Sequence, residues 1–225
     1  MLKVAYSPIF AYDVPERHRF PMQKYPMIAK RLLAEGTLTQ DNFFAQQLLS
    51  EDEILTTHTA EYWQHLKNQT LPHKDARAIG FEMSSKLVER ERYISHATYE
   101  CALYAQQHGV SLNIAGGTHH AFTDHGEGFC VFNDLAVASN LLLARGQARQ
   151  ILIVDLDVHQ GNGTASIFAD EPRVFTFSMH GAKNYPFRKQ ASDLDIDLPN
   201  DTEDETYLQI LGDTLPRLIE QVKPD

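Results

Sequence analysis

Ile151-Leu-Ile-Val-Asp-Leu-Asp-Val-His159 is the stretch whose reading decides the fold. Four apolar residues run into three polar side chains spaced two apart, the profile of a buried strand that ends in a site. A continuous apolar run suits a strand covered on both faces, as in a parallel sheet. Period-two alternation points Asp155, Asp157 and His159 to one side while the chain stays extended. In open α/β sheets, ligands bind outside the carboxyl ends of the strands. Two acids and an imidazole there can chelate a divalent cation, whereas left unpaired they would be costly to bury. An isolated Asp-x-Asp reads equally well as a strand end whose acids cap neighbouring backbone. The surrounding chain decides between the two.

With 225 residues there is material for one large α/β domain, and a single domain is expected. The formal net charge of −10 and a pI near 5.5 argue against a nucleic-acid surface and favour cationic substrates. Cys101 and Cys130 are too few for a disulfide framework, the N-terminus lacks a signal-peptide pattern, and no apolar run approaches the ~20 residues needed to cross a bilayer. A soluble cytoplasmic protein is the default expectation.

Taken in order, residues 2–5 read as a strand and residues 7–21 as an irregular loop. Residues 27–34 form a helix closed by Gly36, and residues 42–49 a second with Asp41 as its cap. Residues 55–58 look extended, and Thr59 caps a helix bearing Tyr62, Trp63 and Leu66. Residues 77–87 read as loop and helical turn, residues 92–108 as a helix closed by Gly109, and residues 111–115 as a strand ending at Gly116-Gly-Thr-His-His120. Glycines beside aromatics in Gly126-Glu-Gly-Phe-Cys-Val-Phe-Asn133 suit the wall of a narrow pocket. Asn133 caps a helix over residues 135–144, which connects two strands as a right-handed parallel unit. After His159 a turn enters a short helix through Phe168, residues 173–178 form a strand ending near His180, and residues 194–198 an edge strand. Thr202-x-x-Glu205 is a capping box for a final helix that Pro216 kinks or breaks.

Three strand ends thus carry His119 with His120, then Asp155, Asp157 and His159, then His180. Side by side, they suit metal-assisted hydrolysis, with the cation activating water and a histidine handling protons. His180 reads better as a structural hydrogen-bonding residue, His125 as a loop residue, and Cys130 as a small apolar lining group.

Gly116-Gly-Thr-His-His-Ala121, Gly128-Phe-Cys-Val-Phe-Asn-Asp134 and Asp155-Leu-Asp-Val-His-Gln-Gly-Asn-Gly-Thr164 together resemble the histone deacetylase family. With Asn184-Tyr-Pro-Phe187 and His18-Arg-Phe-Pro-Met22, the chain looks closest to bacterial class IV-like members. The resemblance implies an α/β, three-layer arginase/deacetylase-like fold with a central, mainly parallel sheet, of which residues 1–225 are the N-terminal two-thirds or so. It implies Asp157 and His159 as zinc ligands and His119 and His120 as the tandem histidines beside the metal-bound water. Asp155 would then hold His119 and Asn162 would partner His120. It further implies a structural K+ enclosed by Asp155, Ser178 and backbone oxygens of Asp157, His159 and Met179. Gly128, Phe129 and Tyr185 would flank a channel for the acyl-lysine stem.

The family continues where this chain has Gln221-Val-Lys-Pro-Asp225, with a third metal-binding aspartate and a glycine-rich loop bearing a tyrosine, so a fragment of a longer deacetylase is expected. These residues alone are expected to bind zinc weakly and turn over poorly. The functions in play are a zinc-dependent deacetylase of acetyl- or acyl-lysine, the same chemistry on small acetylated amines such as polyamines, and a non-catalytic acyl-lysine binding module.

Overall fold

Val4 and Ala5 are wholly buried, and the strand that carries them, β1 (Lys3–Ala5), is the centre of a parallel sheet. The computed structural model describes all residues from Met1 to Asp225, which divide into two compact units, Met1–Leu141 and Leu142–Asp225. In the first unit β1 is flanked by β2 (Phe43–Phe44) and β3 (Ser111–Asn113), both parallel to it. The helices are α1 (Lys24–Ala34), α2 (Glu51–Ile54), α3 (Ala60–Asn68), α4 (His73–Ile79) and α5 (Ser85–His108), followed by α6 (Asp134–Ala144). The long α5 packs on β1 and β3 and buries Leu87, Ile94, Ala97 and Tyr99. Its buried Arg90 donates from Nε to Phe10 O at 2.7 Å, tying the irregular N-terminal loop down.

The second unit contains β4 (Ile151–Asp155), α7 (Asn162–Phe168), β5 (Val174–Gly181), β6 (Leu194–Leu198) and α8 (Asp204–Val222). Its sheet has the order β4-β5-β6, again all parallel. Period two sorts β5 cleanly. Phe177 and Met179 enter an apolar core with Leu198 and Leu218, while Ser178 and His180 face the other way among polar neighbours. No helix is long and apolar enough to cross a membrane.

The parallel α/β reading holds, and several local expectations are corrected. The strands fall into two three-stranded sheets, with β3 and β4 in different ones. The thoroughly buried strand is β5 rather than β4, which lies on an edge with Ile153 as its one fully buried residue. Residues 42–49 are not a helix. Asn42 closes a 3-10 turn by accepting from Thr39 N–H and donates to Leu2 O, which commits the following Phe43 and Phe44 to pairing with β1. Residues 55–58 are a turn, not extended, because Ser50 caps α2 and the amides of Thr57 and His58 fold back on Ile54 O. Residues 77–87 contain the end of α4 and the start of α5, capped by Ser84.

Thr202 does not cap the last helix; its hydroxyl donates to Pro199 O, and the N-cap is Glu203. Pro216 does not end α8, which continues to Val222. The missing amide at Pro216 falls opposite Gly212, on an exposed stretch where water can serve the orphaned carbonyl.

His58 joins distant parts of the first unit. It is buried; Nδ1–H donates to Phe122 O (2.9 Å) and Nε2 accepts from Asn133 N–H (3.1 Å), so only the neutral ring satisfies both partners. Burial pushes its pKa down to about 4 from 6.5. The unfolded chain therefore takes up this proton first as pH falls. Stability from His58 is complete above pH 6.5 and drains away as the pH drops through the window to about 4, by up to about 3 kcal/mol. Urea denaturation at pH 7 and pH 4.5 should show this acid loss in the wild type and a smaller one in His58→Gln. Equal acid losses in the two proteins would contradict it.

Candidate active site

In the first unit the chain leaves β3 and turns through Gly116 to His120, and both histidines are buried with ring centroids 4.1 Å apart. The turn is held by one carboxylate. Asp134, fully buried in the first turn of α6, accepts from Gly117 N–H (3.1 Å to each oxygen), Thr118 N–H (2.7 Å), the Thr118 hydroxyl (2.7 Å) and the Thr98 hydroxyl (2.5 Å). A carboxylate at a helix N-terminus also meets the favourable end of the dipole. Asn133 caps the same helix as expected, accepting from Ala136 N–H, and donates to Ala121 O just past the histidines.

Beside His120 lies the Gly128–Phe129 turn. Gly128 has φ +57°, and a Cβ there would stand 2.6 Å from His120 Cδ2, so no larger residue fits. Phe129 also has positive φ, +69°, which a non-glycine residue adopts only when its surroundings hold it. They do: Gly128 N–H donates to Ala78 O and Phe129 N–H to Ile79 O, using carbonyls left open at the end of α4. Cys130 is buried, with its thiol 3.5 Å from Gly128 O.

In the second unit β4 stops at Asp155, and the next residues bend instead of staying extended. The reason is local. Asp155 Oδ1 accepts from Asp157 N–H (3.0 Å) and Asp157 Oδ1 from His159 N–H (2.8 Å), two successive turns closed by aspartate side chains. The bend brings His159 Nδ1 to 2.9 Å from Asp157 Oδ1, with both side chains about half exposed. Donor atoms so placed can share one cation at about 2 Å each. Tyr185 stands edge-on to His159 with ring centroids 6.2 Å apart, and the Tyr185–Pro186 peptide is cis.

Asp155 lies in register with Ser178, and Ser178 with Asp195. Ser178 Oγ is 2.9 Å from His180 Nδ1, while the buried His180 Nε2 lies 2.9 Å from Asp197 Oδ1 without making a hydrogen bond to it. Asn162 is buried at the start of α7.

The histone deacetylase domain family matches residues 18–225 of this chain. The chain belongs to the histone deacetylase family. An uncharacterised protein of Picosynechococcus sp. is 46% identical over 222 residues, which is 99% of this chain and 74% of that protein. Histone deacetylase 2 of Arabidopsis thaliana is 26% identical over 221 residues, 94% of this chain and 57% of that one. A histone deacetylase homologue solved in complex with SAHA superposes with a TM-score of 0.84 at 25% identity, covering 100% of this chain and 66% of that chain. The chain thus spans between 57% and 74% of the length of these relatives.

A deacetylase of this family is expected to hold zinc, and the donor set tests the fit. Asp157 and His159 supply oxygen and nitrogen donors of the right kind, but no group of three or more His, Cys, Asp or Glu side chains is arranged to hold a metal. A catalytic zinc takes three protein ligands and a water. These residues therefore fit two of the three positions.

Two positioning residues, Asp134 and Gln160, lie within the family-like motifs, but their partners are not legible from adjacent residues: the donors to Asp134 at 98, 117 and 118 come from elements far apart in sequence. Gln160, buried behind the Asp157–His159 bend, donates to Gln190 O (2.6 Å) and Asp195 Oδ1 (2.8 Å) and accepts from Gln190 N–H (2.9 Å). Replacing Asp134 by Asn turns an acceptor-only group into one that faces donors with a donor. Urea denaturation of Asp134→Asn should show a loss of roughly 3 kcal/mol. A loss below about 0.5 kcal/mol, the range of neutral surface changes, would contradict the anchoring role.

Proposed function

We propose that this protein is a zinc-dependent hydrolase that removes acetyl or longer acyl groups from lysine side chains. The observation that carries the reading is the Asp157–His159 pair, a carboxylate and an imidazole with donor atoms 2.9 Å apart past a strand end, in a chain of the histone deacetylase family. In this reading both units are parts of one deacetylase domain, as the family match across residues 18–225 supports.

Asp157 and His159 are assigned as the metal ligands this chain contributes. Zinc bound there would polarise the amide carbonyl and lower the pKa of a bound water. Hydrolysis places a hydroxyl on the acyl carbon, breaks its bond to the lysine nitrogen, and moves one proton from water to the departing amine. His119 and His120 are assigned those proton transfers, since a neutral imidazole accepts a proton and an imidazolium donates one. Asp155 and Asn162 are the supporting residues. Asp155 and Ser178, neighbours across the β4–β5 pair, with the backbone oxygens of Asp157, His159 and Met179, are the all-oxygen donors assigned to a structural K+. Gly128, Phe129 and Tyr185 are assigned to the substrate channel, where a neutral alkyl stem suits aromatic walls. SAHA bound to a solved relative supports an acylated ligand.

The net charge of −10 favours a second substrate class with the same chemistry, small acetylated amines such as polyamines. Acetate release from acetyl-lysine peptides and acetylated polyamines, each with and without chelator, tests both readings. Slow, chelator-sensitive release is expected from these residues alone, and His120→Ala should lower that rate about 100-fold or more. Chelator-resistant release would contradict the metal assignment, and peptide binding without turnover would identify a non-catalytic acyl-lysine module.

A further inference from the structure

The loop from β5 to β6 carries Tyr185, and its two ends are fastened on either side of His159. At the near end Gly181 N–H donates to Val158 O (3.0 Å). At the far end the Gln160 side chain accepts from Gln190 N–H (2.9 Å) and donates to Gln190 O (2.6 Å). These anchors place the loop beside the Asp157–His159 pair, where the Tyr185 ring meets that of His159 edge-on. They do not shape its crown, residues 184–187. Phe187 there is 89% exposed, so apolar packing does little to hold the crown from its own side.

One side chain gathers it. Lys189 Nζ donates to Asn184 O (2.6 Å) and to Pro186 O (2.8 Å), the carbonyls of the two residues that flank Tyr185. Two carbonyl dipoles aimed at one point repel each other unless a cation stands there. An ammonium, with three donors and no acceptor, suits that place, and its bonds are charge-assisted. The Pro186 ring locks φ between the second carbonyl and the Tyr185–Pro186 peptide. Holding both carbonyls therefore fixes the direction in which Tyr185 leaves the backbone.

We propose that Lys189 is a positioning residue for substrate binding, whose ammonium, by drawing in the carbonyls of Asn184 and Pro186, sets the Tyr185 ring against the lysine stem. The inference rests on Tyr185 lining the acyl-lysine channel. Without the ammonium the Pro186 carbonyl, on a buried residue, and that of Asn184 converge with no donor between them. The crown then turns its carbonyls out to water, and Tyr185 between them turns as well. Asp157 and His159 keep their places, because their bend is closed by the side chains of Asp155 and Asp157. Metal binding and stem binding, which share this unit, thus come apart at Lys189.

The test reads that separation, which a general loss of structure would not produce. Binding of a labelled acetyl-lysine peptide in the presence of Zn2+ is measured by fluorescence polarisation, and binding of Zn2+ alone by calorimetry. The proteins are the wild type, Lys189→Met, Tyr185→Ala and the variant carrying both changes. Lys189→Met should weaken peptide binding roughly tenfold, the scale of one well-placed aromatic contact, and leave Zn2+ affinity within about twofold of wild type. Added to Tyr185→Ala, it should cost no more than about twofold further, since Lys189 acts through that ring. Unchanged peptide affinity in Lys189→Met, a loss of Zn2+ binding in the same variant, or a second tenfold loss on top of Tyr185→Ala overturns this inference alone. Failure of the wild type to bind the peptide or Zn2+, or full peptide binding by Tyr185→Ala, overturns the reading on which it rests.

Discussion

A buried carboxylate must find donors, and Asp134 finds them on two other elements: Thr98 of α5 and the Gly117–Thr118 stretch that follows β3. Left unmet, such a group would cost several kcal/mol, so its bonds dictate where the turn runs. That requirement places His119 and His120. The neighbouring residues make the arrangement redundant, since Asn133 caps α6 and binds Ala121 O, and His58 bridges Phe122 O to Asn133 N–H. The second unit solves a similar problem with shorter reach. There Asp155 and Asp157 close consecutive turns with their own side chains, and Gln160 fastens the result to the segment before β6.

The contrast explains which features the sequence discloses. The parallel strands, the Asn133 cap and the helix after Gln160 are local signals, readable from a few adjacent residues. Asn42 misleads because its side chain is claimed by Leu2, forty residues earlier. Residues 55–58 mislead because two threonines favour strand while the amides behind them complete a turn begun at Ser50. The end of α4 matters because Gly128 and Phe129 take up its carbonyls, a partnership that spacing along the chain does not encode. The strand-end alternation at 155, 157 and 159 brings these residues together by a different geometry from the one expected, since a bend, not an extended strand, sets Asp157 and His159 within 2.9 Å.

Family membership and local geometry bear on different parts of the functional account. The family supplies the reaction class and the expectation of zinc. The residues themselves supply the division of labour proposed here, with imidazoles for protons on one unit and a two-donor metal pair on the other.

Titration of the protein with Zn2+ by isothermal calorimetry, for the wild type, Asp157→Ala and His119→Ala, tests that division most directly. One zinc per chain is expected, held weakly as a two-ligand set requires, lost in Asp157→Ala and retained in His119→Ala. Zinc binding that survives Asp157→Ala, or that His119→Ala removes, would contradict it.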